Sequence, residues 1–314
     1  MDASILVTGA SSGIGRATAA LLSERGARVF AAARSEAALQ ALAGQAPAGR
    51  IVPLPMDVQD PASVDRGMAE VHRVLEGKGL DAIVHCAGYA QPGPLEILTD
   101  DALRSQFETN VFGLLRVTRA ALPAMRARGR GRIVVMGSIA GRFSTPNLGA
   151  YQASKHALEA ISDTLRLELA PFGIQVVLVE AGLVRTHLDE RALEVQRPFA
   201  EIASPYQTFL AHTPQLLAAS RRLACAPEEV AQVVAWAAVY PADEWPMSRA
   251  RFGGLCSRRG LGQLRRWAEV VVNPRGGSSE SEPDPWADWD GEDSAVGAQD
   301  DAGGAAGARE GDCA

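Results

Sequence analysis

The sequence predicts an α/β fold, a doubly wound parallel sheet of about seven strands with helices on both faces. Three observations predict it. Strand-like and helix-like segments alternate from Ser4 to Val179 without a break. The strand segments are near-continuous runs of Val, Ile, Leu and Ala, as strands buried on both faces require. A glycine-rich turn separates the first strand from the first helix, at the point where such sheets take a ligand.

The elements follow in order. Ser4–Thr8 (SILVT) is the first strand, and Gly9 to Gly15 is the glycine turn. Arg16–Arg25 is a helix stopped by Gly26. Arg28–Ala33 is the second strand, Ser35–Ala43 the second helix and Ile51–Met56 the third strand. Ala62–Leu75 reads as a helix because Asp60 can cap it and Pro61 suits its first position. Leu80–His85 is the fourth strand, Asp101–Arg126 a long helical stretch, and Arg132–Met136 the fifth strand. Tyr151–Leu169 is a long helix and Ile174–Val179 the sixth strand. Two segments compete for the last strand: Glu269–Asn273 (EVVVN), favoured by its β-branched composition, and Ser248–Phe252, with a helix after it.

Residues 183–225 are less regular and follow the sixth strand at the carboxyl edge of the sheet. They are expected to form helical flaps over the substrate. The whole of 1–275 reads as one domain. Residues 276–314 read as an acidic, disordered tail, since Gly, Ser, Ala, Asp and Glu cannot bury enough apolar surface to fold. From Glu280 to Asp312 there are 11 acids and one base, a charge of −10, so a net −6 leaves +4 on the rest. The basic residues form no run with aromatics between them, so a nucleic-acid partner is not expected.

The four cysteines contain no C-x-x-C pair, and the first strand begins too early for a signal peptide. Both fit a reduced, cytoplasmic protein. No apolar stretch approaches the ~20 residues of a membrane span. The five histidines have no metal-ligand spacing, and no metal site is expected.

Chemistry is carried by two patterns. Thr8-Gly9-Ala10-Ser11-Ser12-Gly13-Ile14-Gly15 is G-x-x-x-G-x-G, in which glycines let the backbone approach a pyrophosphate and the helix N-terminus faces its charge. Tyr151 and Lys155 lie four residues apart, on one face of a helix. A lysine cation beside a phenol favours the phenolate, so Tyr151 is expected to have a lowered pKa and to exchange a proton with a substrate oxygen. Ser138, just past the fifth strand, can hold that oxygen.

These motifs, in the order Gly turn, Asp57, Ala87-Gly88, Asn110, Ser138, Tyr151 and Lys155, resemble the short-chain dehydrogenase/reductase family, in its hydroxysteroid and retinol dehydrogenase branch. The resemblance covers Ile5 to Thr186 in detail. It implies a Rossmann-type sheet and a nicotinamide cofactor held by Gly9, Ser11, Ser12, Gly13, Ile14 and Gly15. It places Asp57 and Val58 on the adenine, Ala87 and Gly88 along the cofactor, and Thr186 on its carboxamide. It further implies that Tyr151 and Lys155 reach the nicotinamide end, and that Asn110 keeps a water in the proton path. Ser138 and Tyr151 would bind the substrate. Dimers or tetramers built on the Asp101–Arg126 and Tyr151–Leu169 helices are also implied.

At the end of the second strand stand Ala33, Arg34 and Ser35, with no carboxylate to repel a 2′-phosphate. Arg34 can pair with one, so NADP is expected over NAD. The family's Asn-Asn-Ala-Gly is His85-Cys86-Ala87-Gly88 here, and its Pro-Gly after the sixth strand is Ala181-Gly182. His85 is expected to be a hydrogen-bonded structural residue and Cys86 a small buried one.

The expected activity is therefore hydride transfer between NADP and a carbonyl or alcohol. Leu188, Phe199, Ile202, Tyr206, Phe209 and Leu210 in the flap suggest an apolar substrate, steroid-like, retinoid-like or a general ketone, and equally suit packing between helices. A β-ketoacyl thioester reductase is one alternative. A dinucleotide-binding regulator or scaffold without turnover is another, to which the acidic tail leaves room.

Overall fold

A computed structural model of the protein describes residues 3–239, 249–254 and 266–271. The elements are β1 Ser4–Thr8, α1 Gly13–Glu24, β2 Arg28–Ala33, α2 Glu36–Gln45, β3 Ile51–Pro55, α3 Pro61–Val74 and β4 Ala82–His85. They continue with α4 Asp100–Phe107, α5 Gly113–Ala127, β5 Gly131–Met136, α6 Gly149–Leu169 and β6 Ile174–Val179. The described part ends in α7 Leu188–Ala200, α8 Gln207–Leu223, α9 Pro227–Val239, β7 Arg249–Gly254 and β8 Arg266–Val271.

The sheet order is β3-β2-β1-β4-β5-β6-β8-β7, and the pairings from β3 to β6 are all parallel. The order reverses between β1, which neighbours β2, and β4. That switch point opens a crevice at the carboxyl ends of the strands. Side-chain alternation explains the layers: Ile5 and Val7 of β1 pack with α1, α2 and α9, whereas Leu6 packs with α3, α5 and α6. One two-sided core is buried by helices on both faces.

Local sequence sets the helix starts. Ser35, Asp60 and Thr99 cap α2, α3 and α4 by accepting from the N–H of Ala38, Ala62 and Ala102. The fold is the Rossmann-like α/β arrangement expected, with two differences. The parallel part has six strands, and both candidates for a last strand are strands that pair antiparallel, β7 with β8 and β8 with β6. The link from β7 to β8 spans residues 255–265, too short for the crossover of a dozen or more residues that parallel pairing needs. The helix expected after Ser248–Phe252, and the tail over 276–314, lie outside the described residues.

The second difference is that Asp101–Arg126 is not one helix. A single π-turn, Glu108–Phe112, joins α4 to α5. The flap segment is helical, as α7 and α8, and α9 covers the sheet beside α1. Pro227 at its start and Glu228 and Glu229 in its first turn are the sequence signs of that helix.

Candidate active site

A cleft of about 730 Å³ runs along the carboxyl edge of the sheet. It brings together Gly9, Ser11, Ser12, Gly13, Ile14 and Gly15 with Arg34, Asp57, Val58, Ala87 and Gly88, and with Ser138, Tyr151, Lys155 and Thr186. Of the catalytic and cofactor residues expected from sequence, Asn110 alone does not line it; it is buried just behind.

The glycine turn is shaped by close approach. Gly9 has φ +67°, and a Cβ there would stand 2.7 Å from the Ala87 nitrogen. A Cβ on Gly15 would stand 2.4 Å from the Gly9 carbonyl oxygen. Only glycines let β1, the turn and the start of α1 close so tightly over the end of β4. Ser12 takes the N-cap position of α1 without a side-chain cap bond, which leaves the helix N-terminus facing the cleft. A cradle of glycine backbone at an uncapped helix start suits the diphosphate of a dinucleotide. Arg34, at the end of β2, is exposed. Asp57 accepts at Oδ1 from the Gln59 N–H, and its own N–H donates to Ser63 Oγ.

Asn110 sits in the π-turn, 2% exposed. Its Oδ1 accepts from the Tyr89 N–H at 3.1 Å, and Nδ2 donates to the Tyr89 carbonyl at 3.1 Å and to Ser154 Oγ at 3.0 Å. It thereby pins the loop after β4 to α6, next to Tyr151. π-turns recur at functional sites because the extra residue re-aims a side chain.

Ser138 caps the 3₁₀ turn Ile139–Gly141, its Oγ accepting from the Ala140 N–H at 3.1 Å, and its hydroxyl acts on the Tyr151 phenol. Lys155 Nζ donates to the Met136 carbonyl at 2.7 Å and stands 5.7 Å from the Tyr151 ring centroid. The expected lowering of the Tyr151 pKa by Lys155 is corrected here. Burial pushes the phenol up, against a smaller lowering from Ser138. Burial also loosens the Lys155 proton, bringing its pKa down to about 8, against raising by Cys86 and Glu159. Desolvation of the phenolate is the larger effect and sets the direction of the shift.

His85 is buried, its Nε2 lies 3.0 Å from Thr118 Oγ1, and desolvation brings its pKa down to about 3. It is a neutral structural residue. The Cys86 thiol is pushed up to about 12 by burial. Among the described residues no group of His, Cys, Asp and Glu could hold a metal, and no helix is long and apolar enough to cross a membrane.

The flap divides between the two readings of its apolar residues. Leu188 lines the cleft, but Phe199, Ile202, Tyr206, Phe209 and Leu210 do not. Phe199 packs against Leu98 and Ala150, Leu210 is buried, Ile202 and Phe209 are exposed, and Tyr206 is half-buried with its hydroxyl donating to Glu96 Oε2 at 2.5 Å. The far end of the cleft is lined instead by Tyr89, Gln91, Leu188, Arg191 and Val195. Sequence reasoning passed over Tyr89, Gln91 and Arg191, because isolated polar residues in loops and helix starts carry no periodic signal.

Two chains of amides hold the flap down. Gln106 Oε1 accepts from the Gln91 N–H at 2.7 Å, and Gln91 Nε2 donates to the Val195 carbonyl of α7 at 3.4 Å. Gln196 Nε2 and Asn147 Nδ2 both donate to Thr213 Oγ1 at 3.1 Å, joining α7, α8 and the turn before α6.

Comparison with known proteins agrees with this geometry. The chain is 35% identical over 200 residues to the NADPH-dependent 3-dehydrocapnine reductase of Ornithobacterium rhinotracheale, covering 62% of this chain and 70% of that protein. It is 38% identical over 245 residues to human 17-beta-hydroxysteroid dehydrogenase type 1, covering 73% and 72%. The crystal structure of a short-chain dehydrogenase from Streptomyces avermitilis superposes with a TM-score of 0.57 at 42% identity, covering 60% of this chain and 68% of that one. Residues 3–196 match the short chain dehydrogenase family as a whole. With this match, the six-stranded parallel sheet and the glycine cradle in hand, the chain belongs to the short-chain dehydrogenase/reductase family of oxidoreductases.

Proposed function

We propose that the protein is an NADP-preferring oxidoreductase that interconverts a carbonyl and an alcohol. The convergence of Ser138, Tyr151 and Lys155 on one cleft with the glycine cradle carries this reading. When bound, the dinucleotide supplies or accepts the hydride at the substrate carbon. Ser138 orients the substrate oxygen by hydrogen bonding. Tyr151 gives that oxygen its proton in reduction and takes it back in oxidation. Its upward-shifted pKa keeps the phenol protonated near neutral pH, the form reduction needs. Lys155 holds a positive charge beneath the phenol ring and helps return the proton. Asn110 fixes the backbone around this group.

Arg34 supports NADP: it is exposed at the end of β2, with no carboxylate at positions 33–35. The NADPH-dependent relative supports the same choice. The substrate reading is a ketone or aldehyde with apolar character, steroid-like or retinoid-like. It is supported by Leu188 and Val195 in the cleft and by the hydroxysteroid dehydrogenase relative. A cytoplasmic homodimer or homotetramer, with one domain over 1–275 and an acidic tail over 276–314, completes the proposal.

The test is oxidation of NADPH and of NADH with a panel of ketones, aldehydes and β-ketoacyl thioesters. Expected are turnover of an apolar ketone with NADPH and its loss in Tyr151→Phe. Equal rates for wild type and Tyr151→Phe on every compound would leave the dinucleotide-binding regulator as the better reading.

A further inference from the structure

A charged cluster lies next to Lys155 but outside the cleft lining. Arg142 grips Glu180 with a fork, Nε to Oε1 at 2.7 Å and Nη2 to Oε2 at 3.2 Å. The same Nη2 lies 3.0 Å from Glu159 Oε2. The Glu180 side chain is 2% exposed and that of Glu159 14%. Glu159 Oε1 is buried and finds no donor while both carboxyls are ionised. The backbone closes on it: a Cβ on Gly141 would stand 2.9 Å from this oxygen.

The three residues come from three different parts of the site. Arg142 ends the 3₁₀ turn that Ser138 begins. Glu159 lies one turn beyond Lys155 on α6. Glu180 directly follows β6 and precedes Ala181 and Gly182, which line the cleft. We propose that Arg142, Glu159 and Glu180 are positioning residues, which clamp the Ser138 turn, the Tyr151–Lys155 helix and the end of β6 into one frame and set the protonation of Lys155. The proposal rests on the reading of Lys155 as the charged partner of Tyr151.

The electrostatics have a definite sign. One buried and one half-buried carboxyl against a single, half-exposed guanidinium retain a proton, which gives Glu159 the donor it lacks toward Glu180. Burial and Glu180 push Glu159 up to about 8. Besides Glu180, the charged groups that act on it are Arg142 from the turn, and Lys155 and Asp163 from α6; Asp163 is itself paired with Arg166. Below about pH 8 the cluster is neutral, with Arg142 balanced by Glu180. Above it, a second negative charge appears one turn from Lys155 and holds the ammonium proton to higher pH.

The chain contains two lysines, Lys78 and Lys155, so lysine labelled with carbon-13 at Cε gives two resonances in the full-length protein. Lys155→Met assigns them. The near-isosteric Glu159→Gln is expected to lower the Lys155 midpoint by about half a pH unit or more and to leave Lys78 unmoved. Glu180→Gln is expected to shift it the other way, because Glu159 then ionises earlier. Identical Lys155 midpoints in wild type and both variants overturn the electrostatic part. Arg142→Lys keeps the charge and loses the fork, and is expected to lower kcat about tenfold with the KM for NADPH unchanged. A wild-type kcat in Arg142→Lys overturns the clamp. Should the wild type reduce no carbonyl, the proposed function fails, and the lysine titration, which needs no turnover, still decides the electrostatic claim.

Discussion

Asn110→Ala tests how the site is held together. The substitution removes three hydrogen bonds, but their partners do not lose equally. The Tyr89 carbonyl keeps a bond from Gln106 Nε2 at 2.8 Å, and Ser154 Oγ keeps its donation to the Tyr151 carbonyl at 2.7 Å. The Tyr89 N–H keeps nothing, since Oδ1 of Asn110 is its acceptor. An orphaned amide costs about 1–3 kcal/mol, and the two other bonds about 0.5–1 kcal/mol each. Alanine returns about 0.5 kcal/mol through its helix propensity. The expected loss is therefore about 2–4 kcal/mol. In urea unfolding followed by tryptophan fluorescence, this lowers the midpoint by roughly 1 M at an unchanged m of about 3 kcal/mol/M. Amide exchange at Tyr89 should speed up in parallel. A loss below about 1 kcal/mol, with Tyr89 still protected, would refute the view that Asn110 anchors this loop to α6.

Three further outcomes follow from the same structure. Arg34→Ala is expected to cut the preference for NADPH over NADH by about 10- to 100-fold in kcat/KM, the worth of a charge-assisted hydrogen bond; unchanged ratios would remove Arg34 from the site. Gly15→Ala places a Cβ 2.4 Å from the Gly9 oxygen. It should weaken dinucleotide binding by about 100-fold or more in a fluorescence titration, with overpacking costing about 1–3 kcal/mol in stability. His85 has a folded pKa of about 3 against about 6.5 unfolded. The unfolded chain therefore takes up a proton that the folded one refuses. That stability is complete above pH 6.5 and drains away as pH falls toward 3. Melting temperature should decline over that window, and the decline should be shallower in His85→Gln; parallel profiles would count against a neutral buried His85.

The parallel sheet was legible because its signal repeats. β1, β2, β4, β5 and β6 are each apolar on both faces, and both faces are buried. Glycines forced by close approach and the Tyr151-x-x-x-Lys155 spacing stand out equally well. The π-turn at Glu108–Phe112 did not, since the surrounding pattern is helical and the interruption serves tertiary contacts, Asn110 to Tyr89 and Ser154. The flap stayed open between two readings for a related reason. Phe199 and Leu210 are apolar because they pack on the body of the protein, and spacing cannot separate packing from ligand contact. The direction of the Tyr151 shift was hidden too, because it depends on burial, which Ser138 and Lys155 do not reveal from their positions in the chain. Glu159 had a sign that could have been read: with Tyr151 and Lys155 it extends an i, i+4, i+8 row along one face of α6.

The amide chains through Gln91, Gln106, Gln196, Thr213 and Asn147 hold the flap with uncharged groups. Amides and hydroxyls do not titrate between pH 5 and 10, and their bonds are little screened by salt. The hold that these bonds place on the flap should therefore stay level across the range where Lys155 and Glu159 exchange protons.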